Sequence, residues 1–259
     1  MKDLAPRSEG MNVFKNMRKI IDNQSNINGG YSRKYIKGGI LYRFVRKLVR
    51  LYSMLMFNMD IEKRDLLPAG PKIFVANHPS ITDPFLLHLQ APMSVLITGQ
   101  AFAIPVVGSL LTHIDQISAA PKSGSLEKAL AVLSKGKSIG IFPEGACSPQ
   151  GGGYCDPRSG AARLALMSGA SVIPVGIHLR RDRFFRSLAM ITGAQTFGWL
   201  YLWGPYAMTI GKPMVFTGDV EDRELVKTVT KTIMEQVKIL AGDSETRLVK
   251  KLKPSRAKA

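Results

Sequence analysis

The first 39 residues, rich in Gly, Asn and Ser, hold no sustained hydrophobic period and read as a polar lead-in. From Ile40 a helical rhythm begins. Ile40, Leu41, Phe44, Val45, Leu48, Tyr52, Leu55 and Met56 recur every three to four residues, with Arg43, Arg46, Lys47 and Arg50 in the gaps. The pattern predicts a basic amphipathic segment over residues 40–64, of the kind that lies in a bilayer interface with its cations on anionic headgroups. Its charges count against a spanning helix. Packing of the same stripe on the protein's own core is the alternative.

The rhythm then shortens. KIFVA (72–76), SIGIF (138–142), VIPVGI (172–177) and AMTIG (207–211) are brief runs of β-formers or runs bounded by Pro and Gly, and they predict strands. Helical spacing returns over Ser125–Lys135, with Gly136 as its stop, and over Gly160–Ser168, with Gly169 as its stop. Strands alternating with helices predict an α/β domain whose functional groups project from strand ends. A last helix is expected over Asp222–Ala241, closing a domain of residues 65–241, and the Lys-rich tail of residues 242–259 is expected to be mobile. Residues 187–211 carry no charge but five aromatics, Phe197, Trp199, Tyr201, Trp203 and Tyr206. Preceded by RRDRFFR (180–186), the stretch 187–206 reads as a second membrane-contacting element, with core packing of the aromatics as the alternative.

Charge sharpens this picture. The formal net charge is +17, and residues 1–64 hold 14 Lys/Arg against 5 Asp/Glu while residues 65–240 hold 16 against 12. Basic ends around a nearly balanced middle suit an anionic surface, either phospholipid or nucleic acid. The excess flanks amphipathic segments and no nucleic-acid-binding signature appears, so the expected partner is an anionic leaflet, with no specific nucleic acid. The two cysteines, Cys147 and Cys155, match no disulfide or zinc spacing, which points to a reducing setting. The opening MKDLAPRSEG has no apolar core of signal-peptide type, so a cytoplasmic face is expected.

The sharpest chemical signal is Asn77-His78-Pro79-Ser80-Ile81-Thr82-Asp83, directly after KIFVA. The strand end delivers His78 to an open edge, and Asp83 is near enough to turn back and accept the ring's Nδ1–H. A carboxylate so placed fixes the tautomer and stabilises the imidazolium formed when Nε2 takes a proton from a hydroxyl. Asp83 before Pro84 is equally a helix start that needs no catalysis. The second signal is Phe142-Pro143-Glu144-Gly145 at the exit of SIGIF, where Glu144 could receive substrate hydroxyls and Gly145 admit a close approach. The third is Gly169-Ala170-Ser171-Val172-Ile173-Pro174-Val175-Gly176-Ile177, a strand with an internal proline.

In this order, the three segments resemble the glycerolipid acyltransferase family typified by bacterial 1-acyl-glycerol-3-phosphate acyltransferase. The resemblance covers residues 65 to 216 and implies a single mixed-sheet acyltransferase domain with helices around it, preceded by the membrane-associating segment. It implies His78 as general base, Asp83 as its orienter, and Glu144 and Gly145 as acceptor-binding residues. The implied reaction carries a fatty acyl group from acyl-CoA or acyl carrier protein to the hydroxyl of a lysolipid, foremost 1-acyl-glycerol-3-phosphate, with no cofactor and no metal. A thioester leaves readily, so direct attack by the hydroxyl, without an acyl-enzyme, is the expected route. Two positions depart from the family. Where it has Thr and Arg after FPEG, this chain has Ala146 and Cys147, and the arginine expected near Ala119 or Ala120 is missing. Either Lys122, Arg158 or Arg163 supplies the cation for an acceptor phosphate, or the acceptor is a different lysolipid. A lipid-binding relative without activity is the third reading.

Other chemistries find less support. No GxSxG elbow occurs, AVLSKGKS (131–138) lacks the first glycine of a phosphate loop, and Gly151-Gly152-Gly153 reads as a flexible loop. His88, His113 and His178 have no metal-ligand spacing.

Overall fold

The computed structural model describes residues 40–149, 151–191 and 194–252. The polar lead-in and the end of the tail lie outside them. The chain begins with α1 (Ile40–Met56), β1 (Phe57–Lys63), β2 (Lys72–Ala76), α2 (Asp83–Leu87) and β3 (Met93–Ile97). It continues through α3 (Gly99–Ala103), α4 (Pro105–His113), β4 (Ile117–Ser118), α5 (Ser125–Ser134), β5 (Ser138–Ile141) and α6 (Gly160–Ser168). The last elements are β6 (Ser171–Leu179), β7 (Phe185–Ile191), β8 (Ala194–Leu200), β9 (Gly204–Ile210) and α7 (Arg223–Leu252).

Seven strands form one sheet in the order β1-β9-β6-β2-β5-β3-β4. From β6 to β4 every pairing is parallel; β9 joins β6 antiparallel, and β1 joins β9 parallel. The expected mixed α/β sheet is therefore present. Its central strands read as unbroken apolar runs because helices cover both faces. Along β2, Ile73 and Val75 enter a core with α5, α6 and α7, while Phe74 and Ala76 enter a second core with α2, β3 and β9. Alternate residues of one short strand thus hold both layers together.

Three expectations are corrected. The amphipathic helix ends at Met56 rather than continuing to residue 64, and Phe57–Lys63 is an edge strand whose residues pair with Gly204–Ile210. No breaker marks that junction. Phe57 is drawn into the core beside Tyr201 and Tyr206, and its burial stabilises the extended form. Second, the last helix runs to Leu252, so residues 242–252 are not a mobile tail. Gly242 costs a helix about 1 kcal/mol, but Ser244 bonds Thr209 and the Gly176 carbonyl, and Arg247 reaches Thr209, Asp60 and Glu62. Those anchors hold the final turns on β1 and β9. Third, the aromatic stretch is divided. Tyr201 and Tyr206 are fully buried, as the core-packing alternative has it, whereas Trp203 stays 40% exposed beside Phe185. Strands β7 and β8 make a separate antiparallel pair, and the side chains of residues 186–197 lie outside the description.

On α1 one stripe, Ile40, Phe44, Leu48, Leu51 and Leu55, remains exposed, while Val45 and Val49 turn towards Pro84, Phe85 and Leu111. No described helix is long and apolar enough to cross a membrane. The helix is tied to the domain by Arg46 to the Leu89 carbonyl, by the Tyr52 hydroxyl to the Leu202 carbonyl, and by the edge of Tyr52 against Phe57 at 5.6 Å.

Candidate active site

Parallel strands β6, β2 and β5 end at one edge of the sheet, and there the candidate residues gather. Just past Ala76, the Asn77 side chain continues the ladder that the backbone leaves. Its amide donates to the Ile177 carbonyl at 2.8 Å and its oxygen accepts the Ile177 N–H at 2.7 Å. This amide clamp fixes the point at which the chain leaves the sheet, so that His78 stands at the rim.

The spacing argument for His78 and Asp83 holds in three dimensions. The His78 ring places Nδ1 3.2 Å from Asp83 Oδ2, and the same oxygen accepts the Ser80 N–H at 2.7 Å. Tyr206, on β9, donates its hydroxyl to Asp83 Oδ1 at 3.2 Å. Burial pushes the Asp83 carboxyl up, and His78, Ser80 and Tyr206 pull it back only in part. Burial and the Asp83 charge hold the Tyr206 phenol far above its usual range, so it remains a donor. Asp83 also opens α2 with Pro84 behind it, so one residue both starts the helix and meets the His78 ring.

Ser80 braces the loop from the other side. Its hydroxyl meets the Trp199 carbonyl at 3.0 Å and accepts the Tyr201 N–H at 3.0 Å, while the Thr82 hydroxyl donates to the Tyr201 carbonyl. The His78 ring stacks on Phe142 at 4.3 Å between centroids and keeps 15% of its side-chain surface exposed. Nδ1 is therefore occupied and Nε2 is the nitrogen left to act on a substrate.

Glu144 is not where the sequence reading put it. It is 3% exposed, and its oxygens are taken by the His78 N–H at 3.0 Å, the Ser148 hydroxyl at 2.7 Å and the Cys155 N–H at 2.9 Å. The carboxylate stitches the exit of β5 to the exit of β2; it does not face an acceptor hydroxyl. Gly145 sits at φ +66°, and a Cβ there would come within 2.6 Å of Arg158 Nε. The guanidinium that follows the motif by 13 positions thus lies directly on it.

The three candidate cations separate. Arg158 is at the site. Lys122 is exposed in the loop after β4, on the same edge but three strands away from β2, hence roughly 14 Å off. Arg163 faces a groove with Arg223, Lys227 and Lys231 between α6 and α7 and does not join His78. A cation the sequence reading missed is nearer: Arg181 shares a polar pocket with Asn77, Ser148, His178 and Glu245. The basic run 180–186 carries the signal, but its composition points equally to a membrane surface. Among the described residues no group of His, Cys, Asp and Glu is arranged to hold a metal ion.

Comparison with known proteins bears on the family and the fold. Residues 58–178 match the family model described as Acyltransferase. The chain is 27% identical over 132 residues to a 1-acyl-sn-glycerol-3-phosphate acyltransferase of Borreliella burgdorferi, covering 48% of this chain and 52% of that one. It is 32% identical over 139 residues to a lyso-ornithine lipid O-acyltransferase of Pseudomonas aeruginosa, covering 52% and 53%. The chain spans about half the length of these relatives. The crystal structure of a 1-acyl-sn-glycerophosphate acyltransferase from Thermotoga maritima shares the fold, with a TM-score of 0.54 at 21% identity over 86% of this chain and 88% of that one.

Proposed function

We infer that this chain, whose residues 58–178 match the acyltransferase family model, moves a fatty acyl group from acyl-CoA or acyl carrier protein to the hydroxyl of a lysolipid at an anionic membrane surface. The observation that carries this reading is the imidazole at the sheet edge, its Nδ1 held by a buried carboxylate and its ring still partly exposed. A hydroxyl approaching Nε2 loses its proton as its oxygen attacks the acyl carbonyl, and Asp83 stabilises the imidazolium that results.

Substrate access fits a surface enzyme. The exposed stripe of α1, with Arg43, Lys47 and Arg50 along it, suits headgroups and the upper acyl region of the cytoplasmic leaflet. Phe85, next to the catalytic loop, is also exposed, so apolar surface continues from α1 towards His78.

For the acceptor, Arg158 over Gly145 and Arg181 beside Asn77 supply guanidinium forks for an acidic headgroup. These support 1-acyl-glycerol-3-phosphate first. A second reading has an observation of its own. The Arg181 pocket also contains Glu245, whose carboxylate would repel a dianionic phosphate and would suit a headgroup carrying both an ammonium and a carboxylate. The lyso-ornithine lipid enzyme among the relatives supports that alternative.

The deciding measurement is thiol release by the full chain in detergent, with acyl-CoA or acyl carrier protein as donor. The acceptor panel comprises 1-acyl-glycerol-3-phosphate, a lyso-ornithine lipid and lysophosphatidylcholine. Release that depends on one acidic or zwitterionic lysolipid and vanishes in His78→Ala supports the proposal. Release equal in the variant, or none with any acceptor, refutes it.

A further inference from the structure

The groove between α6 and α7 has no part in the reading above. It encloses about 500 Å³ and is floored by the buried Val226 and Met234. Arg163 from α6 and Arg223, Lys227, Lys231 and Lys238 from α7 line it, against one carboxylate, Glu235. Residues 65–240 hold 16 Lys/Arg and 12 Asp/Glu, so a nearly balanced domain places five of its cations and one of its acids here. On α7 the four cations fall at i, i+4, i+8 and i+15, a single stripe about 22 Å long at 1.5 Å per residue. The stripe is open to a partner. The Lys227 and Lys231 side chains are 78% and 79% exposed, and the carboxylates paired with them, Glu224 at 4.0 Å and Glu235 at 3.9 Å, hold them weakly.

Two features of its placement decide what can fill it. Helices α5, α6 and α7 pack with Ile73 and Val75 on one face of the sheet, whereas α2, which shares a cavity with α1, packs with Phe74 and Ala76 on the other. A leaflet that receives α1 therefore leaves the groove facing water. The groove also leads to the site. Lys238 Nζ stands 5.4 Å from the centre of the Tyr154 ring, and Tyr154 lines the same pocket as Asn77 and Ser148. On the opposite wall Pro157 and Ser159 flank Arg158, whose N–H donates to the Pro143 carbonyl at 2.8 Å, and the preceding Phe142 stacks on His78. One end of the groove opens at the catalytic rim, while Arg223 stands about four turns farther out along α7.

We propose that this groove is the docking surface for an acidic protein that bears the acyl thioester on a flexible arm, an acyl carrier protein, and that it sets the preference for that donor over acyl-CoA. The proposal rests on the transfer reaction inferred above and names where its donor is held. One cation per turn over successive turns complements carboxylates at the same repeat on a partner helix, whereas a nucleotide would gather its cations round one or two phosphates. Val226 and Met234 seat the partner's apolar side chains between the charges. A carrier so placed directs its arm past Tyr154 towards His78. Because the cations are exposed, they act mainly by steering the encounter, and the association rate falls as salt screens them.

The test follows binding of fluorescently labelled holo acyl carrier protein to the full chain in detergent by anisotropy, with no lysolipid present, beside transfer kinetics with palmitoyl-acyl carrier protein and palmitoyl-CoA. The double variant Lys227→Glu/Lys231→Glu is expected to weaken carrier binding, and to raise the KM for the carrier-borne donor, at least about tenfold. Its KM for palmitoyl-CoA should stay within about twofold and its melting temperature near wild type, since the altered side chains are exposed and weakly paired. Lys227→Arg/Lys231→Arg should bind as wild type. Wild-type protein that does not bind the carrier, a charge-reversed variant that binds it undiminished, or an equal rise in both donor KM values would overturn the docking surface. Binding needs no turnover, so the two inferences fail separately. Transfer from palmitoyl-CoA without carrier binding sinks the groove alone, and lysine-dependent carrier binding without transfer to any lysolipid sinks the reaction alone.

Discussion

Replacing Glu144 by Gln separates a carboxylate that binds substrate from one that holds two loops together. Wild-type Oε1 accepts two donors, the His78 N–H and the Ser148 hydroxyl, and Oε2 accepts the Cys155 N–H. Glutamine keeps one acceptor oxygen. Its best orientation leaves that oxygen on His78 and Ser148 and sets an NH2 against the Cys155 N–H, donor to donor. One charge-assisted bond is lost and a covered donor loses its partner, together about 2–3 kcal/mol. At roughly 2–4 °C per kcal/mol for a domain of this size, the melting temperature should fall by about 4–12 °C. The slackened His78 amide displaces the base, and kcat should fall on the order of 10- to 100-fold. The acceptor KM should stay within about twofold, because no acceptor atom meets Glu144. The assays are a thermal melt and a lysolipid titration at saturating donor. An unchanged melt with acceptor KM raised tenfold would refute the latch and return Glu144 to the acceptor.

Asp83→Asn either sets its NH2 against both the Ser80 N–H and His78 Nδ1 or keeps its oxygen there without the charge that stabilises the imidazolium, and should cost on the order of 10³–10⁴ in kcat with both KM values near wild type; steady-state kinetics decide it. His88 is lowered to about 4, chiefly by burial and further by Lys137 and Arg46, against the Pro84 carbonyl. The unfolded chain binds that proton below about 6.5 and the folded one only near 4, so stability should fall as pH drops from about 6.5 to 4, by at most about 3 kcal/mol. His88→Leu should flatten that slope in chemical denaturation, and an identical slope in the variant assigns the acid sensitivity elsewhere. In Gly176→Ala the new methyl would lie 2.0 Å from the Ala241 nitrogen, forcing α7 off the sheet at a cost of at least about 3 kcal/mol; a melt within about 1 °C of wild type contradicts this packing. Phe44→Asp with Leu51→Asp, both more than half exposed, should leave the melt unchanged and weaken binding to phosphatidylglycerol vesicles at least tenfold. Undiminished co-sedimentation would remove α1 from the membrane contact.

Strand β2 was legible to the residue because a lysine and an asparagine bracket a wholly apolar run, and α6 because Gly169 closes it in the left-handed region at φ +64°. Strand β1 was not. FNMDIEK alternates weakly, follows a helix without punctuation, and owes its extended form to β9, far along the chain. The same division runs through the site. The pairing of His78 with Asp83 is a local fact, five positions apart, and spacing reveals it. The role of Glu144 depends on amides 66 and 11 positions away, and Tyr206 reaches Asp83 across 123. Such partners are set by the order of strands in the sheet, which no local pattern records.

Between Met56 and Phe57 there is no loop: α1 turns into β1 within one peptide bond, and Tyr52 pins the joint to both Phe57 and residue 202. A helix mounted in this way has little freedom to rise, sink or swing apart from the sheet whose third neighbouring strand ends at His78. The elevation of the imidazole over whatever plane receives α1 is therefore a constant of the fold. A stylus at fixed height chooses by depth, and the hydroxyl that meets it is the one the acceptor's own anchoring brings to that level. On the function proposed here, positional selectivity is a length written into the joint, and one residue added there would invert which face of β1 looks inward.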